Sequence, residues 1–95
     1  MKRYNIRATK RYKKDFKLLQ KAGFDADKLE YAIDLLAIGA RLPYKYRDHE
    51  LKGRLKNTRE CHIAPDWLLR YAKDEDCLLL MLLGTGDHRR VLGME

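Results

Sequence analysis

Residues 58–83, TRECHIAPDWLLRYAKDEDCLLLMLL, hold three apolar runs separated by two polar breaks. The first run, Thr58–Ala64, reads as a strand, with Arg59, Cys61 and Ile63 on one face and Glu60 and His62 on the other. Pro65 and Asp66 suit the central positions of a turn, because proline presets φ and aspartate hydrogen-bonds its own backbone. Leu68–Ala72 is the returning strand. Lys73-Asp74-Glu75-Asp76 reads as a second hairpin turn. Cys77–Leu83 is apolar on both faces, which suits a central strand. Gly84-Thr85-Gly86-Asp87 is expected to break it, leaving His88 to Leu92 as a short terminal element.

Working back toward the N-terminus, the period changes. RLPYKYRDHELKGRLKN, residues 41–57, is a polar connector punctuated by Pro43 and Gly53. Before it, Leu29, Ile33, Leu36 and Ala37 recur at helical spacing from Ala26 to about Ile38, behind Asp25 as the cap. KRYKKDFKLLQKA, residues 10–22, places Tyr12, Phe16 and Leu19 on one side of another helix. Thr9 can cap it and Gly23 can close it in a left-handed conformation. Tyr4, Ile6 and Ala8 alternate with Asn5 and Arg7 as a half-buried strand does. The order β-α-α-β-β-β predicts one α+β domain over residues 1–95, with a helical hairpin packed on a small, mostly antiparallel sheet.

The composition narrows the class. With 95 residues and 45% hydrophobic content, the chain can bury a modest single core. No apolar run approaches the ~20 residues of a membrane span. The start, MKRYNIRATKRYKK, has no apolar signal core, so a cytoplasmic protein is expected. Cys61 and Cys77 lie in apolar patterns and are expected to be buried, reduced thiols. Residues 1–47 carry 13 Lys/Arg against 5 Asp/Glu, a net +8, and residues 48–95 carry 8 against 9, a net −1. Such a field favours phosphate-rich partners or an acidic protein.

His49, His62 and His88 are the ionisable groups best suited to chemistry at neutral pH, since imidazole titrates near ~6.5. A metal site is not expected: there is no CxxC, HxxxH or HExxH spacing, and Cys61 and His62 point to opposite faces of a strand. Metal-free acid–base work fits better, with Asp66 orienting an imidazole and no cofactor. RNA suits such a kit, because its own 2′-OH can attack the adjacent phosphorus. Lys52, Arg54, Lys56 and Arg59 flank the site as phosphate ligands, and Trp67 is either a base-stacking residue or a core anchor beside the turn.

These residues carry a family resemblance. Asp48-His49-Glu50-Leu51-Lys52-Gly53 followed by Arg59-Glu60-Cys61-His62-Ile63-Ala64-Pro65-Asp66-Trp67-Leu68-Leu69-Arg70-Tyr71 resembles the signature of YafQ-type toxins in the RelE/ParE toxin superfamily. Thr85-Gly86-Asp87-His88 is similar to that family's T-G-[ST]-H end, and the lysine-rich opening also fits. The resemblance spans nearly the whole chain. It implies a RelE-like fold, a ribosome-dependent endoribonuclease that cuts mRNA, and a cognate antitoxin of the DinJ type with an acidic, wrapping segment. It also implies operator DNA as a partner only through the antitoxin complex. By position, His49, His62, Asp66 and His88 match the catalytic set. The resemblance gives proton transfer to His49 and His62, orientation to Asp66, and phosphate support or a share of the acid role to His88.

Two positions depart from the pattern. Gly84 stands where the family usually has a phosphate-stabilising arginine, and Leu92 where it has an aromatic. Arg59, Arg54, Arg89 and Arg90 are the candidate replacements. The alternative is a catalytically weakened homologue that acts by binding antitoxin. A gyrase-poisoning toxin of the same superfamily would have no use for the histidines.

Overall fold

The apolar periods read from the sequence become two helices lying on one sheet. The structure is a computed structural model that describes residues 3–92, apart from the side chains of Arg90 and Leu92. The elements are β1 (Asn5–Ala8), α1 (Lys10–Lys21), α2 (Ala26–Ala37), β2 (His49–Glu50), β3 (Arg59–Ala64), β4 (Trp67–Asp74), β5 (Leu79–Gly86) and α3 (His88–Leu92). The sheet order is β1-β5-β4-β3-β2. Only β1 runs parallel to its neighbour, pairing with β5, while the other pairs are antiparallel.

Local chemistry starts and stops the helices as expected. Thr9 Oγ1 accepts the Tyr12 N–H at 3.1 Å, and the same hydroxyl donates to the Leu82 carbonyl at 3.0 Å. The cap of α1 is therefore also a tie to β5. Asp25 Oδ1 caps α2 through the Asp27 N–H at 3.0 Å. Gly23 turns the chain between the helices at φ +83°. Leu29, Ala32, Ile33 and Leu36 of α2 meet Cys61, Leu69, Tyr71, Leu80 and Leu82 of the sheet in one core.

Four expectations need correction. The connector over residues 41–57 contains β2, which pairs His49 with Glu60, and two 3-10 turns at Tyr44–Tyr46 and Gly53–Leu55. The glycine-rich segment does not break β5, which runs to Gly86 with Gly84 paired to Arg70 and Gly86 to Leu68. Its missing side chains are tolerated because both positions keep their ladder partners and are buried. The strand starts at Leu79 rather than Cys77, since Asp74 Oδ1 accepts the N–H groups of Asp76 and Cys77 and winds that segment into a turn. Cys77 is consequently exposed, whereas Cys61 is buried. Burial of Cys61 among apolar side chains pushes its thiol above the ordinary range, with further upward push from Asp48 and Glu60.

Candidate active site

Register decides the site. Because β2 pairs with β3, His49 stands directly across from Glu60. His62 is two residues along β3 on the same face as Glu60, and a register irregularity between His62 and Ala64 leads into the Pro65-Asp66 turn. That turn brings Asp66 to the start of α3, where it meets His88. The result is a row of imidazoles. The His49 and His62 rings lie 6.5 Å apart, centre to centre, and the His62 and His88 rings 5.5 Å.

Each end of the row is held by a carboxylate. His88 Nδ1 lies 3.0 Å from Asp66 Oδ1, which also accepts the His88 backbone N–H at 3.5 Å. A carboxylate is an acceptor only, so Nδ1 carries the proton and Nε2 is left for other partners. These same His88 hydrogen bonds, ring first, hold the Asp66 carboxyl below the usual carboxylate range. At the other end His49 Nε2 lies 3.1 Å from Glu60 Oε1, and His49 Nδ1 lies 2.7 Å from the Arg47 carbonyl oxygen. Both ring nitrogens face oxygen acceptors. Both contacts are hydrogen bonds only when the imidazole bears two protons or Glu60 bears one.

The middle ring is different. His62 Nδ1 is buried without a partner, as is Glu60 Oε2. His62 Nε2 is then the nitrogen open to an incoming group. An imidazole with one ring nitrogen unengaged thus stands between two that are hydrogen-bonded to carboxylates, an arrangement suited to paired proton donation and acceptance across a short distance. Among the described residues, no group of three or more His, Cys, Asp or Glu is arranged to hold a metal ion.

The platform beneath the row is buried and cross-tied. Trp67 is only 4% exposed, so its face is not open to stack a base, and that expectation is corrected. Its ring meets Phe24 edge-on at 5.0 Å, and its N–H donates to Thr85 Oγ1 at 3.0 Å. Thr85 Oγ1 donates in turn to the Leu68 carbonyl at 2.8 Å, while the Thr85 N–H donates to Asp15 Oδ2 at 3.1 Å. Arg11 Nε reaches Asp15 Oδ1 at 3.3 Å. This chain of bonds joins α1, β4 and β5 under the Asp66 turn.

The phosphate-ligand candidates divide. Arg59 Nε is paired with Asp48 Oδ1 at 3.2 Å, and the Tyr71 hydroxyl donates to the same oxygen. Arg59 thus fastens β3 to the segment before β2. Lys52, Arg54 and Lys56 are exposed on the β2–β3 connection, and Arg89 is exposed on α3. The side chain of Arg90, and that of Leu92, lie outside the described residues. None of Lys52, Arg54, Lys56 and Arg59 lines the cleft of about 880 Å³ that His62 and His88 border; its cations are Lys28, Lys45 and Arg47. Sequence reading missed those three, because they come from α2, the first 3-10 turn and the residue that follows it. It also missed the part played by Glu60. The one signal for it was that Glu60 lies two residues before His62.

The comparisons with known proteins agree with one another. Residues 4–93 match the family described as bacterial toxin of type II toxin–antitoxin system, YafQ. The chain is 39% identical over 90 residues to the mRNA interferase toxin YafQ of Escherichia coli strain K12, covering 94% of this chain and 96% of that protein. It is similar to the toxin in the crystal structure of the E. coli DinJ–YafQ toxin–antitoxin complex, with a TM-score of 0.87, 38% identity, and 96% and 99% of the two chains covered. It is likewise similar to a metal-bound toxin from Helicobacter pylori, with a TM-score of 0.87, 41% identity, and 93% and 98% covered.

Proposed function

The chain belongs to the YafQ family of bacterial toxins of type II toxin–antitoxin systems, and on that premise we propose that it is a ribosome-dependent mRNA interferase working by acid–base catalysis without a metal. The observation that carries this reading is the row of His49, His62 and His88 with a carboxylate at each end.

In this mechanism the substrate supplies its own nucleophile. His62 Nε2 takes the proton of the 2′-OH. The 2′-oxygen bonds to the adjacent phosphorus, and the bond from phosphorus to the 5′-oxygen breaks. His88, as an imidazolium held by Asp66, protonates the departing 5′-oxygen. The products are a 2′,3′-cyclic phosphate and a 5′-hydroxyl end. This pairing is favoured over His49 with His62 because His62 and His88 share the wall of the cleft, whereas His49 lies outside it. His49, held by Glu60 and the Arg47 carbonyl, would when doubly protonated help to stabilise the phosphorane-like charge. Lys52, Arg54, Lys56 and Arg89, all exposed, hold flanking phosphates, and Arg59 acts on the substrate only through the β2–β3 clamp.

The partner is an antitoxin similar to DinJ, as the solved E. coli complex supports. An acidic segment of it would cover the basic N-terminal half, and operator DNA would be bound through that complex. The site of action is the cytoplasm, where ribosomes are.

The deciding experiment is cleavage of a defined mRNA in a purified translation system, with and without ribosomes, comparing native protein with His62→Ala. Site-specific cuts that need ribosomes, disappear in His62→Ala and persist with a transition-metal chelator are expected. Cuts abolished by the chelator would sink the metal-free mechanism. A second reading has one observation in its favour: Gly84 leaves no arginine at the family position, and Arg59 is engaged with Asp48. If native protein binds the antitoxin tightly and cuts nothing, the chain is a disarmed toxin that keeps only the interaction function.

A further inference from the structure

With Trp67 buried, the row of imidazoles lacks an aromatic surface for a base. One is available in the cleft. Tyr31 projects from α2 off its core-facing stripe and is 57% exposed. A single exposed tyrosine is ordinary on any surface. This one lines the same cleft as His62 and His88. Tyr46, buried, lines the cleft as well, with Lys45 Nζ 5.5 Å from its ring centre. Lys28 and Arg47 complete the positive lining. Asp25 and Asp27 are also in the wall, and Asp25 is committed to capping α2. The volume of about 880 Å³ is within the ~300–1,000 Å³ of pre-formed small-molecule sites.

We propose that this cleft receives one nucleotide of single-stranded mRNA next to the scissile phosphate, its base stacked on Tyr31 and its backbone among Lys28, Lys45 and Arg47. The assignment rests on the ribonuclease reading and adds the subsite to it. Unpaired RNA bases are recognised by stacking on exposed aromatic faces beside cations. The cleft offers both beside the two imidazoles that line its wall. Asp27 supplies an acceptor for base N–H groups.

The test is cleavage on ribosomes by native protein, Tyr31→Phe, Tyr31→Ala and Tyr44→Ala, on mRNA that is intact or abasic at either nucleotide flanking the cut. Tyr31→Ala should slow cleavage about tenfold or more, in line with the loss of one stacked base. Tyr31→Phe keeps the ring and should stay near native. Tyr44, which is 93% exposed and outside the cleft, should tolerate alanine. An abasic site at one flank should slow native protein as much as Tyr31→Ala does and add nothing to that variant. A merely structural role for Tyr31 would not produce this non-additivity. Losses that multiply at both flanks, or native rates in Tyr31→Ala, would overturn the proposal. So would normal cutting by Tyr31→Ala with lost antitoxin binding, which would give the cleft to the antitoxin. If native protein cuts nothing, the ribonuclease reading falls. Amide shifts on adding 2′-O-methylated trinucleotides to free toxin then decide the subsite: shifts at Tyr31 that vanish in Tyr31→Ala keep it, and their absence removes it.

Discussion

At the scale of single residues, the site depends on two carboxylates in opposite surroundings. Glu60 is buried and Asp66 is 75% exposed at its side chain, yet each holds an imidazole. Glu60→Gln keeps the shape and removes the charge that faces His49 Nε2. Cleavage by this variant is expected to fall about tenfold or more, on the scale of lost electrostatic stabilisation of a transition state. Single-turnover rates on ribosomes would measure it, and a native rate would mean that His49 needs no counter-charge. Asp66 makes a prediction about pH. Its folded-state pKa is depressed by the His88 hydrogen bonds, so its contribution to stability is complete above the unfolded value of ~3.9. That contribution is lost only as the pH falls through the depressed value. Following the Asp66 carboxyl carbon by NMR should show titration below the usual range, returning to it in His88→Ala. The pairing of Asp66 with an imidazole was legible in the sequence, because Pro65-Asp66 reads as a turn. The identity of the imidazole was not, since His88 is 22 residues away.

At the scale of elements, short segments hold the site in place and long ones hold the segments. β2 has two residues and α3 five, too few to be stable alone. The β2 end is fastened by Asp48 to Arg59 and Tyr71, and the α3 end rests on the Trp67–Thr85–Asp15 chain. Asp15 sits on the one element, α1, that sequence reading treated as a basic, amphipathic helix and nothing more. Asp15→Ala would leave the buried Thr85 N–H without an acceptor, at a cost of about 1–3 kcal/mol. Urea denaturation should show that loss, with the midpoint lowered and the slope unchanged. A negligible change would mean that water replaces the carboxylate. Short strands such as β2 escape sequence reading for a physical reason: two residues carry no detectable period, and their pairing is set by the partner strand.

For the whole molecule, the core contains acids that folding keeps neutral. Burial pushes Tyr12 up to about 12, and burial also raises Tyr71 and Cys61. A raised folded-state pKa contributes stability that is present below the unfolded value and lost as the pH climbs through the folded one. Stability is therefore expected to begin declining near pH 9, where the unfolded Cys61 thiol ionises, and to fall further above about pH 10, where unfolded tyrosine does. Urea midpoints from pH 8 to 11 would test this, and a flat profile would contradict the burial of these groups. The sequence alone determined the α+β class, the two capped helices and the three-strand hairpin series, because period, capping and turn chemistry are local, and its family resemblance named His49, His62, Asp66 and His88 as candidates. Only the tertiary structure decided that Trp67 is buried, that Glu60 faces His49, that β5 continues through Gly84 to end at Gly86, and that Tyr31 and three unremarked cations wall the cleft. Those facts depend on sheet register and on how α2 lies across the sheet, which join residues that no local pattern in the chain connects.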